Sequence, residues 1–187
     1  MPIVSVGDVN IGQSTAMYFY VAAAHGLMGE GFLEMAQVLS VHEHIKEMRE
    51  AYNSLVPYES TPTAENLDLW FEGGSKDVSG IADGSAASTR YLTWYLGRIE
   101  NTLGDQGFAV GNKLSLADVV LYYRLSDYLR AEDATPEVAQ WDREPFASKA
   151  RTDAAVAKHP KIKASIDAVR ANANVQKWLA TRGVQEF

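Results

Sequence analysis

Residues Phe108 to Tyr123, FAVGNKLSLADVVLYY, constrain the fold more than any other stretch of the chain. Ser115 carries a side chain suited to closing a helix N-terminus. Asp118, three residues later, can reach back to the backbone N–H of Ser115, giving a capping box with Asp in place of Glu or Gln. Leu114 and Val119 lie where a hydrophobic staple sets the entry angle, and Gly111-Asn112 supplies the reversal just upstream. The pattern predicts a buried helix from Ser115 to about Leu129. By itself such a box marks a well-made helix start in any α-rich domain.

Around this helix the chain reads as mainly α. Ile3 to Val6, a Gly7-Asp8 turn and Val9 to Ile11 form a β-hairpin pattern, and a lone hairpin is marginal in water, so its edges call for cover. Gln13-Ser14 then opens a helix to about His25, stopped by Gly26. That helix is apolar almost all round, which predicts burial on more than one side. From Gly31 a longer helix carries Phe32, Met35, Leu39, His42, Ile45, Met48 and Tyr52 as its core stripe. Ser54 to Ser88 is rich in Pro, Gly and small polar residues and reads as connection, flexible around Gly73 to Ser85. Helical periodicity returns from Thr89 to Leu103. After an acidic, irregular Ala131 to Glu144, Pro145 to Ala157 and the segment from His159-Pro160 read as two further helices.

The string Gly-Asn-x-Leu-Ser-x-Ala-Asp opening an apolar helix resembles the core motif of the all-helical C-terminal domain of cytosolic glutathione transferases. Pro2 to Ser14, PIVSVGDVNIGQS, is similar to the end of that family's thioredoxin-like domain, and Val175 to Arg182 to its closing helix, where a Trp-Leu pair folds back on the bundle. The resemblance is nearest to sigma-like members. It implies a helical bundle of the glutathione-transferase C-terminal type over residues 30–187. Residues 1–29 would be a hairpin and one helix left from a thioredoxin-like domain, with the rest of that domain lying before Met1.

The same resemblance implies glutathione as co-substrate and a soluble, cytoplasmic protein. Gln13 and Ser14 would hold its γ-glutamyl end, Ser14 at a helix N-terminus where a carboxylate is favoured. The backbone of Met1, before the family's cis-proline position at Pro2, would pair with the cysteinyl residue. Glu47 falls where sigma-like members place an acid that reaches the glutathione of a partner subunit. Read from the residues alone, Ser14 is an ordinary N-cap, Gln13 a surface residue and Glu47 a solvated helix acid. The family's thiol-activating residue belongs to the segment upstream of Met1, so no catalytic residue is assigned here. Phe19 departs from the family in standing where many members carry an arginine.

Other classes of chemistry fail on inspection. A net charge of −7 without a basic block argues against a nucleic-acid surface, and the absence of Cys excludes thiol catalysis and Cys-based zinc sites. His42 and His44 are two apart and point to different helix faces, and no HExxH or GxSxG occurs. Gly74 to Gly80 lacks the Lys-Ser/Thr of a phosphate loop, and no apolar run reaches the roughly 20 residues of a membrane span. His42 reads as a packed bundle residue, and Trp94, Tyr95, Tyr122 and Tyr123 as core. Two functions stay open. One is a glutathione transferase that conjugates or reduces electrophiles with an activated thiolate. The other is a non-catalytic module, docked on a larger assembly through its hairpin edge and first helix. A homodimer is compatible with either.

Overall fold

The computed structural model describes residues 3–57, 60–73, 90–126 and 145–181. Among them are β1 (Val4–Val6), β2 (Val9–Ile11), α1 (Ser14–Ala24), α2 (Gly31–Leu55), α3 (Ala64–Glu72), α4 (Leu92–Thr102) and α5 (Leu116–Leu125). A 3₁₀ turn at Pro145–Ala147 leads into α6 (Lys149–Val156), α7 (Pro160–Ala171) and α8 (Ala173–Thr181). The expectations on Met1, Pro2, Gly74 to Gly80, Ala131 to Glu144 and Arg182 lie outside the described residues.

The hairpin pairs Val4 with Ile11 and Val6 with Val9 across a turn in which Gly7 adopts φ 58°. Ser5 adds a cross-strand bond from its hydroxyl to Asn10 Oδ1 at 2.7 Å. α1 ends as its sequence dictates. Gly26 takes φ 70°, and Leu27 N–H and Gly26 N–H close on the carbonyls of Ala22 and Ala23 in a Schellman arrangement.

The core is a bundle in which α5 packs between α2 and α7, with α4 against α2, α3 and α7. Val38, Trp70, Leu92, Leu96, Ile99, Leu121 and Ile162 are fully buried there. Trp70 anchors an aromatic cluster with Tyr52, Tyr95 and Phe146, at ring separations of 5.1 to 6.4 Å.

Several expectations are corrected. α1 buries only Met17 and Ala22 and leaves Tyr18, Tyr20 and Val21 40 to 47% exposed, so it is covered on one side rather than sandwiched. The hairpin likewise exposes Ile3, Val6 and Val9. On α2 the buried register is Val38, Val41, His42, Ile45 and Met48, whereas Phe32, Met35 and Leu39 face outward. At 1.5 Å per residue α2 is about 37 Å long and outreaches the shorter helices beside it, so apolar residues near its start lack a packing partner. The connecting segment after Ser54 contains α3, opened by a capping box in which Thr63 Oγ1 and the Asn66 amide serve each other's backbone N–H. On α8, Val175 and Leu179 pack against the core while Trp178 remains 48% exposed. Of the four aromatics expected in the core, Tyr95 and Tyr122 are buried, Trp94 is partly buried, and Tyr123 is exposed.

Candidate functional site

The sequence around α5 builds a buried polar hub. Asp118 is fully buried and its carboxylate accepts four hydrogen bonds. Oδ2 takes Ser115 N and Ser115 Oγ at 2.8 and 2.7 Å, and Oδ1 takes Ala109 N and Ser165 Oγ, both at 2.7 Å. The expected capping box is present, and the same carboxylate also ties the preceding loop and α7 to α5. A fully bonded, fully buried carboxylate fixes geometry and has no oxygen left for chemistry. The hub therefore holds the scaffold on which α1 is mounted: Leu116 N donates to Leu27 O at 2.8 Å, just past the end of α1.

At the other end of that helix, Gln13 and Ser14 are adjacent and exposed. Gln13 has φ 67° and ψ 122°, a conformation that non-glycine residues rarely adopt. It makes no side-chain cap, and no acidic residue lies in the first turn. The N–H groups of this turn thus receive no cap from Gln13 and lie at the positive end of the helix dipole, where a carboxylate is favoured. A residue held in such a conformation costs about 1–3 kcal/mol, and such residues cluster at ligand sites.

Glu47 lies elsewhere, exposed on α2, with its carboxylate 3.8 Å from Arg98 of α4. No hydrogen bond or ion pair among the described residues joins it to Gln13 or Ser14. Beside it, burial and the Arg98 charge push the His44 imidazole below its ordinary value, with Glu47 opposing, and burial pushes the Tyr95 phenol up. His42 is buried, its ring edge-on to Tyr18 and Phe19, as a packed bundle residue should be.

Sequence reasoning did not single out Arg124, a half-buried cation near the end of α5. Burial pushes the Arg124 guanidinium below the ordinary arginine value. The nearby Arg49 charge adds to this, while Tyr123 and Tyr18 oppose it. The available signal was a lone arginine inside the apolar run VVLYYRL. A separate depression of about 390 Å³ between the end of α5, α6 and α7 carries Lys149, Lys163 and Arg170, each already paired with Asp153 or Asp167. Among the described residues no three His, Asp or Glu side chains come close enough to hold a metal ion, and no helix is long and apolar enough to cross a membrane.

Comparison with known proteins agrees with this architecture. The chain is 24% identical over 187 residues to a probable glutathione S-transferase 7 of Caenorhabditis elegans, covering all of this chain and 76% of that one. It is 26% identical over 139 residues to a glutathione S-transferase of Antechinus stuartii, covering 73% of this chain and 54% of that one. A monomeric glutathione S-transferase from the hookworm Necator americanus superposes with a TM-score of 0.62 at 22% identity, over all of this chain and 76% of that one. A prostaglandin synthase D of Nilaparvata lugens gives 0.62 at 17% identity, over 99% and 75%. The family model for the glutathione S-transferase C-terminal domain matches residues 82–182, more than half of the sequence, and the chain belongs to the glutathione S-transferase family.

Proposed function

We propose that this protein binds glutathione at Gln13 and Ser14 and serves the conjugation or reduction of electrophiles by the glutathione thiol in a cytoplasmic setting. The observation that carries the reading is the uncapped N-terminus of α1 behind a strained Gln13 at φ 67°. The γ-glutamyl carboxylate suits those backbone N–H groups, and the Gln13 amide can donate to it and accept from the adjacent ammonium. In this reading residues 1–29 belong to the thioredoxin-like half and residues 30–187 to the helical domain. Glu47 serves the glutathione of a second subunit in a homodimer. Activation of the thiol needs a hydrogen-bond donor that favours the thiolate. No residue described here is assigned that role.

Calorimetric titration of glutathione into the chain, with a conjugation assay on the same sample, tests the reading. Binding that Gln13→Ala and Ser14→Ala each weaken about tenfold, roughly 1.4 kcal/mol, supports it. Absence of binding overturns it. A second reading, a non-catalytic module docked on a larger assembly, is favoured by the exposed Tyr18, Tyr20 and Val21 of α1 beside the exposed hairpin residues Val6 and Val9. It predicts that charged substitutions on that face abolish assembly and leave glutathione affinity unchanged.

A further inference from the structure

Phe146 closes an aromatic cluster under backbone strain. It and Ala147 stand at φ 51° and φ 56°, two consecutive non-glycine residues in the left-handed region where a Cβ is disfavoured. The strain is confined to this pair, because the residues on either side are anchored to α6. Pro145 O accepts from Ser148 N at 3.1 Å and from Thr152 Oγ1 at 2.9 Å, and the Ser148 side chain caps α6 at Arg151 N. What holds the strained pair is the Phe146 ring, packed 5.1 Å from the rings of both Tyr52 and Trp70.

The seat that this ring occupies lacks a hydrogen-bond acceptor. Trp70 is fully buried, and its indole Nε1–H has no partner. A buried indole N–H ordinarily finds one, and leaving it unpaired is unfavourable. Of the rings packed on Trp70, those of Tyr52 and Tyr95 carry hydroxyls that do not reach Nε1, and that of Phe146 has no polar atom. Phe146 and Tyr52 are half-buried, so the cluster borders solvent on their side.

We infer that Phe146 is a resident stopper in a binding site for an uncharged single-ring aromatic molecule bearing a carbonyl-type acceptor. The ligand exchanges its ring for that of Phe146 against Tyr52 and Trp70, and its carbonyl oxygen accepts from Trp70 Nε1–H. Turning Phe146 and Ala147 out of the left-handed region relieves their strain, which offsets part of the cost of exposing the Phe146 ring. The ligand shifts the population toward this opened form through the one bond that Phe146 cannot make. The ring contacts involve no charged side chain, which favours a neutral ligand. This site does not depend on the glutathione reading, since its rings come from α2, α3, α4 and the turn before α6, and none from α1.

The test is a proton–nitrogen NMR titration of the whole chain with acetophenone and with α-methylstyrene, its isostere with a methylene group in place of the carbonyl oxygen. The Trp70 indole N–H resonance is expected to move downfield with acetophenone, which should bind about tenfold more tightly than α-methylstyrene. Phe146→Ala, without the stopper, should bind acetophenone about tenfold more tightly than the native chain. Ala147→Asn keeps every ring and favours the closed turn, because asparagine tolerates the left-handed region better than alanine. It should weaken acetophenone binding several-fold, and it tests the exchange even where Phe146→Ala fails to fold. Equal affinities for the two probes, binding of neither, or a Trp70 indole resonance unmoved at saturation overturns the inference. So does a folded Phe146→Ala that binds no more tightly, an Ala147→Asn that binds as tightly as the native chain, or a shift confined to another tryptophan.

Discussion

Ser165 on α7 donates its hydroxyl to Oδ1 of Asp118 on α5 at 2.7 Å, joining two fully buried residues 47 positions apart in the chain. The bond extends a local helix cap into a tertiary clamp, because the same oxygen takes Ala109 N from the loop that precedes α5.

Asp118→Ala should be the most damaging single substitution in the bundle. It strips two backbone N–H groups and two hydroxyls of their acceptor in a fully buried site, at about 1–3 kcal/mol for each donor left unpaired. Urea unfolding should show a loss of at least about 3 kcal/mol or no folded protein, while Ser165→Ala loses about 1–2 kcal/mol. If Asp118→Ala proved no worse than Ser165→Ala, the hub would be reduced to a set of independent bonds.

Gly111 is required for two separate reasons. Its φ is 64°, and a Cβ there would stand 2.9 Å from both carboxylate oxygens of Glu34, which is itself held by Glu30 N at 2.6 Å. Gly111→Ala should cost about 1–3 kcal/mol. In a Glu34→Ala background the steric part disappears and only the backbone strain remains, so a double-mutant cycle should give non-additive losses. Strict additivity would mean that Glu34 moves aside freely.

What was legible in the sequence was the local chemistry. The Ser115–Asp118 box, the Gly26 stop and the Gly7-Asp8 turn are set by residues within a few positions of one another, and they form as read. Burial was less legible, because it depends on partners that the pattern does not contain. α1 is apolar on every side, so its sequence could not say that Tyr18, Tyr20 and Val21 would stand open. α2 carries more apolar residues than its neighbours cover, and Val38 and Val41 were not separated from Phe32 and Leu39 by spacing alone. At the candidate site Gln13 and Ser14 came from resemblance to a family motif.

Stability should fall as pH drops from 7 toward 5.5. Burial lowers the folded-state proton affinity of His159 and His44 below the ordinary imidazole value of 6.5, so the unfolded chain takes up protons first. The stabilisation is therefore complete above about pH 7 and is lost as pH falls through that ordinary value toward the depressed ones. Chemical unfolding at pH 7.5 and 5.5 measures it. The variant His44→Gln/His159→Gln should flatten the difference. An equal pH slope in the variant would assign the effect to other groups.

The ion pair of Glu47 with Arg98 is exposed, at 3.8 Å, and contributes little to the fold. Glu47→Gln should change stability by less than about 0.5 kcal/mol. If Glu47 serves a second subunit's glutathione, the substitution weakens glutathione binding only at protein concentrations where light scattering shows a dimer. Weakening that persists in a monomer would place Glu47 at its own subunit's site, and no change at either concentration would leave it a surface acid.

A substitution at Gln13 tests stability and the proposed glutathione binding together. At φ 67° and ψ 122° a glutamine backbone is strained, and glycine adopts positive φ without a Cβ penalty. Gln13→Gly should therefore stabilise the chain by about 1 kcal/mol, offset in part by the greater freedom of glycine in the unfolded state. The same substitution removes the amide proposed to hold the γ-glutamyl group and relaxes the backbone at the start of α1. Thermal melting and glutathione titration on one preparation should thus move in opposite directions, with a higher melting temperature and at least tenfold weaker binding. If Gln13→Gly and Gln13→Ala both bind glutathione as tightly as the native chain, the strain at this position has no part in recognition, and the ligand must be sought away from the start of α1.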